Sequence, residues 1–160
     1  MQQPTSRRTR QRGVGLIEVL IAVLVMAIGL LGVAALQAAA LRHSQSSLER
    51  SQAVVLSYAI LDAMRANVVE ARAGRYDMGM CADAGKPGAD AAGGAQLRTA
   101  DRSAWLAALR AELGAEACAQ VRCTAVAGTD ARDCAVTVRW DDSRGTGGST
   151  RQQIRTVARV

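Results

Sequence analysis

The chain has 160 residues, 49% of them hydrophobic, with a formal net charge of +6 and a sequence pI near 9.9. It has no phenylalanine, two tyrosines and two tryptophans, too few aromatics for a surface on which single-stranded nucleic acid stacks. Four of its arginines lie in residues 1–13; beyond them 16 basic residues face 14 acidic ones, so the basicity belongs to the leader and no nucleic-acid partner is expected.

The leader, MQQPTSRRTRQRG, carries Arg7, Arg8, Arg10 and Arg12 without an acid. Such a cluster ahead of an apolar run stays in the cytoplasm, which predicts a single-pass protein with its N-terminus inside and its C-terminal part outside. The run that follows is interrupted once, by Glu18, and from Val19 to Leu36 has no polar side chain. As a helix it is about as long as a hydrocarbon core of roughly 30 Å is thick. A secretory signal cut near Ala38-Ala39-Ala40 would have a shorter apolar core and no acid. A twin-arginine signal on Arg7-Arg8 would not continue with Thr9-Arg10-Gln11. A plain anchor accounts for everything except the spacing from Gly13 to Glu18.

Gly13-Val14-Gly15-Leu16-Ile17-Glu18 resembles the class III signal of type IV pilins and pseudopilins. The resemblance implies cleavage by a prepilin peptidase between Gly13 and Val14, methylation of Val14, and Glu18 as the fifth mature residue. Val14 departs from the usual Phe or Met, and no mid-anchor proline is present, so local unwinding would rely on Gly29 and Gly32. An acid in the first helical turn gains about 0.3–1 kcal/mol from the macrodipole. A charge in the apolar region costs about 2.5–3.5 kcal/mol at mid-helix and less near the end. The amino group that cleavage creates at Val14, on the same or a neighbouring subunit, is a partner for Glu18.

No helix breaker follows Leu41 as far as Ala73, which predicts one helix from about Val14 to about Asn67. Leu41, Leu48, Val55, Ala59 and Ala66 share one face, and Val54, Leu61 and Met64 lie well away from it. A helix apolar on two sides expects burial on both, against its own domain and either neighbouring subunits or more of that domain. Asp62 and Arg65 have the i,i+3 spacing of a surface pair.

The region 74–100, with its glycines and Pro87, reads as a loop. Asp101 or Ser103 is positioned to cap a short helix through Trp105, Leu106, Leu109 and Leu113, ending at Gly114. Ala119–Val126, Cys134–Trp140 and Gln153–Val160 read as strands of an antiparallel meander with one face on the helix. The expected organisation is a cleaved leader (1–13), a transmembrane helix half (14–41), an amphipathic half (42–73) and a periplasmic globular part (74–160).

Cys81, Cys118, Cys123 and Cys134 all follow the anchor, an even number that suits two disulfides in an exported domain. The strand reading sets Cys123 and Cys134 across a hairpin and leaves Cys81 for Cys118, although four cysteines allow three connectivities. With no C-x-x-C pair and a single histidine, His43, no metal site is expected. Asp130, Asp133, Asp141 and Asp142 read as turn formers rather than calcium ligands. No catalytic constellation or cofactor motif is present, so the chain is not expected to be an enzyme.

A long N-terminal helix, a variable loop and a small antiparallel sheet make an α+β fold that looks like a pilin. The stretches LIEVLIAVLVMAIGLLGVAALQAAALRHSQSS, SQAVVLSYAILDAMRAN and VTVRWDD are similar to PilV-type minor pilins. That resemblance implies a minor pilin that helps prime type IV pilus assembly. Its partners would be the prepilin peptidase, other minor and major pilins, the inner-membrane assembly platform and the membrane. The same signal also serves minor pseudopilins of type II secretion systems. An adhesive module with a site in 74–100 or 141–152 is a further alternative.

Overall fold

The structure, a computed structural model, describes residues 15–82, 93–145 and 147–160. The elements in order are α1 (Leu16–Ala66), α2 (Val68–Arg72), α3 (Gly94–Leu113), β1 (Cys118–Ala125), β2 (Arg132–Trp140) and β3 (Gln152–Arg159). This is an α+β, pilin-like architecture: a long N-terminal helix and a three-stranded antiparallel sheet. The chain divides into two compact units after Ala40.

In the first unit, the 19–36 part of α1 is apolar on all sides. Every large aliphatic side chain from Leu16 to Leu36 is at least half exposed. Water does not tolerate such a surface, which is far larger than the apolar patches of soluble monomers.

The second unit, Leu41–Val160, has its own core. Helix α1 contributes Ala53, Ser57, Ile60, Leu61 and Met64, which recur at three- and four-residue spacing and form one buried stripe. The face predicted from Leu41, Leu48, Val55, Ala59 and Ala66 is exposed along its whole length. The domain therefore covers one side of the helix and leaves the other bare. Ala53 and Ser57 are small, and Ser57 Oγ donates to Ala53 O at 2.7 Å, so its buried hydroxyl is satisfied within the helix. Trp105 Nε1 of α3 donates to Leu56 O at 2.8 Å, and Trp140 Nε1 of β2 donates to Glu49 Oε2 at 3.1 Å. Each tryptophan thus packs its ring in the core and anchors its polar edge on α1.

The sheet order is β1-β2-β3, as the meander reading required. The inward positions Ala119, Val121, Val136, Val138 and Trp140 are buried, and the alternate positions face solvent. Cys123 stands directly opposite Cys134 in the β1–β2 register, and the two form a disulfide. Cys81 bonds Cys118, tying the segment after α2 to the start of β1. An isolated bridge between Met78 and Val121 continues that attachment.

Helix α3 departs from expectation. It begins at Gly94, well before Asp101 and Ser103, so neither is its cap. The reason is tertiary. Tyr76 is fully buried and its hydroxyl donates to Asp101 Oδ2 at 2.5 Å, while Asn67 Nδ2 donates to Tyr76 Oη at 3.2 Å and to Gly94 O at 2.8 Å. Asp101 has the composition of a cap but its carboxylate is taken by Tyr76, and the good helix formers before it extend the helix backwards. A Cβ on Gly94 would lie 3.0 Å from both Asn67 Oδ1 and Glu70 Cγ, so a side chain here would press on both. The far end is as predicted, with Gly114 at φ 102 donating its N–H to Arg110 O.

Candidate functional site

The chain's candidate site is the Gly13–Glu18 signal and the helix face behind it. Gly13 and Val14, the expected cleavage and methylation positions, lie outside the described residues, as does the leader. The described part begins at Gly15, whose carbonyl accepts from Glu18 N at 2.9 Å and from Val19 N at 3.3 Å. This places Glu18 in the first turn of α1, its side chain exposed. A first-turn acid complements the positive end of the helix dipole. Immediately beyond it the apolar run begins. Among the described residues, α1 is the one helix long and apolar enough to cross a membrane by length and composition.

The second component is the bare side of the 41–66 helix half. Leu41, Leu48 and Val55 are each more than half exposed. The sequence identified this stripe but left open whether the domain covers it. The domain occupies the opposite side through the Ser57, Leu61 and Met64 stripe.

A third component escaped sequence reasoning. Asp142 is buried, and Ser46 Oγ of α1 donates to its Oδ2 at 2.7 Å, with Arg50 Nη2 at 3.9 Å. Asp142 N donates to Ser149 O, and its own carbonyl accepts from Gly145 N, both at 2.9 Å. The β2–β3 connection is thereby clasped to α1 just past the apolar run. A contact across 96 residues leaves no local signal beyond an Asp in a turn. The neighbouring Asp141 accepts from Ser143 N, and hydrogen bonding to Ser143 holds its carboxyl below the usual range. Asp133 is bound bidentately by Arg159, at 2.8 and 3.1 Å, and that pairing lowers its pKa. These carboxylates serve turns and ion pairs. Among the described residues no group of three or more His, Cys, Asp or Glu side chains is arranged to hold a metal.

Glu70, also buried, lies 2.6 Å from Arg75 and 3.6 Å from Arg98. Burial first, and then its bond to Asp101, push the Tyr76 hydroxyl well above its ordinary pKa. Both groups sit where α2, the 74–78 segment and α3 meet, and they hold that junction together.

An α+β molecule with this helix, this sheet and a first-turn acid opening an apolar run is type IV pilin-like. A family model described as the prokaryotic N-terminal methylation motif matches residues 8–34, which span the leader's end, the Gly13–Glu18 signal and most of the apolar run. Comparison with curated proteins and with solved structures finds no match. The motif and the architecture together indicate a type IV pilin-like protein, of a pilus or a pseudopilus. The proteins of this motif are structural. Their signal is processed by a prepilin peptidase, and they assemble with other pilins from the membrane.

Proposed function

We propose that the chain is a minor pilin of the PilV type, built into a type IV pilus and helping to prime its assembly. The observation that carries this reading is the pairing of Glu18 in the first turn of α1 with an entirely exposed apolar run behind it. In a bilayer that surface faces acyl chains. In a filament the same surface packs against the equivalent helices of neighbouring subunits. Cleavage after Gly13 frees the amino group of Val14, which is then methylated. Glu18 pairs with that amine, on its own or an adjacent subunit, and so loses the cost of an uncompensated charge as the helix leaves the membrane. The leader's arginines hold the uncleaved terminus in the cytoplasm, and the disulfide-bonded domain folds in the periplasm. The assembly platform and the other minor and major pilins are its partners.

The bare Leu41–Leu48–Val55 stripe supports the same reading, because an apolar helix face that the chain's own domain leaves uncovered suits a neighbouring subunit. The test is deletion of the chain from its host, followed by parallel assays of surface pili and of protein secretion. Loss of pili with secretion intact is the expected result. Loss of secretion with normal pili would instead assign it to a type II secretion pseudopilus. Glu18→Ala should reproduce the deletion while leaving the protein membrane-bound.

A further inference from the structure

The solvent face of the sheet lies outside the signal and the helix face on which the proposed function rests. It carries Arg122 on β1, Arg139 on β2, and Arg155 and Arg159 on β3, against one carboxylate, Asp133. Asp133 is occupied by Arg159, and Arg139 Nη2 lies 2.8 Å from Cys81 Sγ. Arg122 and Arg155 are exposed and have no ion pair among the described residues. A merely solvated face would mix both signs.

The register places these two arginines around a specific floor. Arg122 is opposite Ala135, which is opposite Val157; one step along, Gln120 is opposite Thr137, which is opposite Arg155. The strands are about 4.8 Å apart, so the two arginine-bearing strands lie about 10 Å apart. Between them is a concavity of about 650 Å³ lined by these six residues and their neighbours.

We infer that this face is a binding site for an acidic polysaccharide, one whose sugar rings bear carboxylates. The guanidinium groups of Arg122 and Arg155 take carboxylates in bidentate hydrogen bonds. Gln120 and Thr137 supply donors and acceptors for ring hydroxyls. Ala135 and Val157, the latter 57% exposed, form an apolar patch for the C–H face of a pyranose ring. Other polyanions fit less well. Among the described residues, the concavity's lining contains no aromatic ring on which bases stack. An extended acidic peptide adds to a sheet at its edge through main-chain hydrogen bonds, which the face does not offer. The inference does not depend on whether the chain serves a pilus or a secretion pseudopilus.

The test is binding of short oligogalacturonates to the full chain in detergent, by calorimetry or fluorescence anisotropy. The same oligomers with their carboxylates methyl-esterified, and a short DNA duplex, serve as comparisons. The expected result is binding that falls with salt, is lost on esterification, and exceeds binding to the duplex. Arg122→Glu with Arg155→Glu should weaken it more than about tenfold without shifting the unfolding midpoint. Arg122→Gln with Arg155→Gln provides the same test if charge reversal perturbs folding, and Arg65→Glu, elsewhere on the domain, should leave binding intact. No binding of the oligogalacturonate, equal binding of the esterified form, tighter binding of the duplex, or unchanged binding by the folded Gln pair would each overturn the inference.

Discussion

Replacing Tyr76 with Phe removes one oxygen from the junction that sets where α3 begins. That oxygen donates at 2.5 Å to the Asp101 carboxylate and accepts at 3.2 Å from Asn67, within a ring that is completely buried. A hydrogen bond to a charged group contributes about 1.5–3 kcal/mol and a neutral one about 1 kcal/mol. Asn67 keeps its bond to Gly94 O, and half-buried Asp101 recruits water, so part of the loss is recovered. The expected cost is about 2 kcal/mol, a sizeable fraction of the 5–15 kcal/mol typical of a domain. With a urea m-value of about 1.3 kcal/mol per M, the midpoint falls by about 1.5 M. Trp105 and Trp140, both buried in the 41–160 unit, report the transition by fluorescence.

The variant has a second signature. The folded-state pKa of Tyr76 is raised, chiefly by burial. Below the ordinary tyrosine value of about 10 the hydroxyl is neutral in both states, and its contribution to stability is fully present. As pH climbs above that value the unfolded chain releases the proton and the folded one does not, so stability is lost. Tyr76→Phe should therefore flatten the alkaline limb of the pH–stability profile as well as lower its plateau. Asp101→Asn should lower the plateau but keep the limb, because burial is the larger cause. A Tyr76→Phe protein as stable as the parent at neutral pH, or one with an unchanged alkaline limb, would refute this account of the junction.

Three further outcomes are expected. The disulfides close loops of 37 and 11 residues, so Cys118→Ser should cost about 4 kcal/mol and Cys123→Ser about 3 kcal/mol in urea titrations. A Cβ on Gly148 would fall 1.7 Å from the carbonyl oxygen of Asp142, so Gly148→Ala should destabilise the domain by more than about 1 kcal/mol. Hydrogen exchange should report that the Ser46–Asp142 clasp opens more readily in that variant. Val55→Asp, on the bare helix face, should change domain stability by less than about 0.5 kcal/mol yet sharply reduce recovery of the chain in sheared pili.

Local rules carried the reading of the sequence furthest where the chain obeys them one at a time. No proline interrupts α1, and its bounds agree with the predicted ones to within a residue or two at each end. The sheet was legible from strict alternation in VTVRW and from turn residues between the strands. The point at which α3 starts was not, because Gly93-Gly94 has loop chemistry and its helical state depends on Asn67 and Glu70 from another element. The role of Asp142 was hidden for the same reason, its partner Ser46 being distant in sequence. Periodicity found both apolar faces of the 41–66 helix half, but composition does not distinguish a face that the domain buries from one left for a neighbour. The arginines of the sheet looked like ordinary outward positions until the register set Arg122 and Arg155 around one concavity. Glu18 was the reverse case. Its spacing to Gly13 and the charge-free run after it, on which its proposed role rests, are both written in the chain itself.

The central claim is that the leader is removed and that the new terminus gives Glu18 its partner. Mass spectrometry of the protein recovered from sheared pili tests it directly. The account predicts an amino terminus at Val14 bearing one added methyl group. A mature protein that starts at Met1 or downstream of Ala38, or that starts at Val14 without the methyl group, would contradict it.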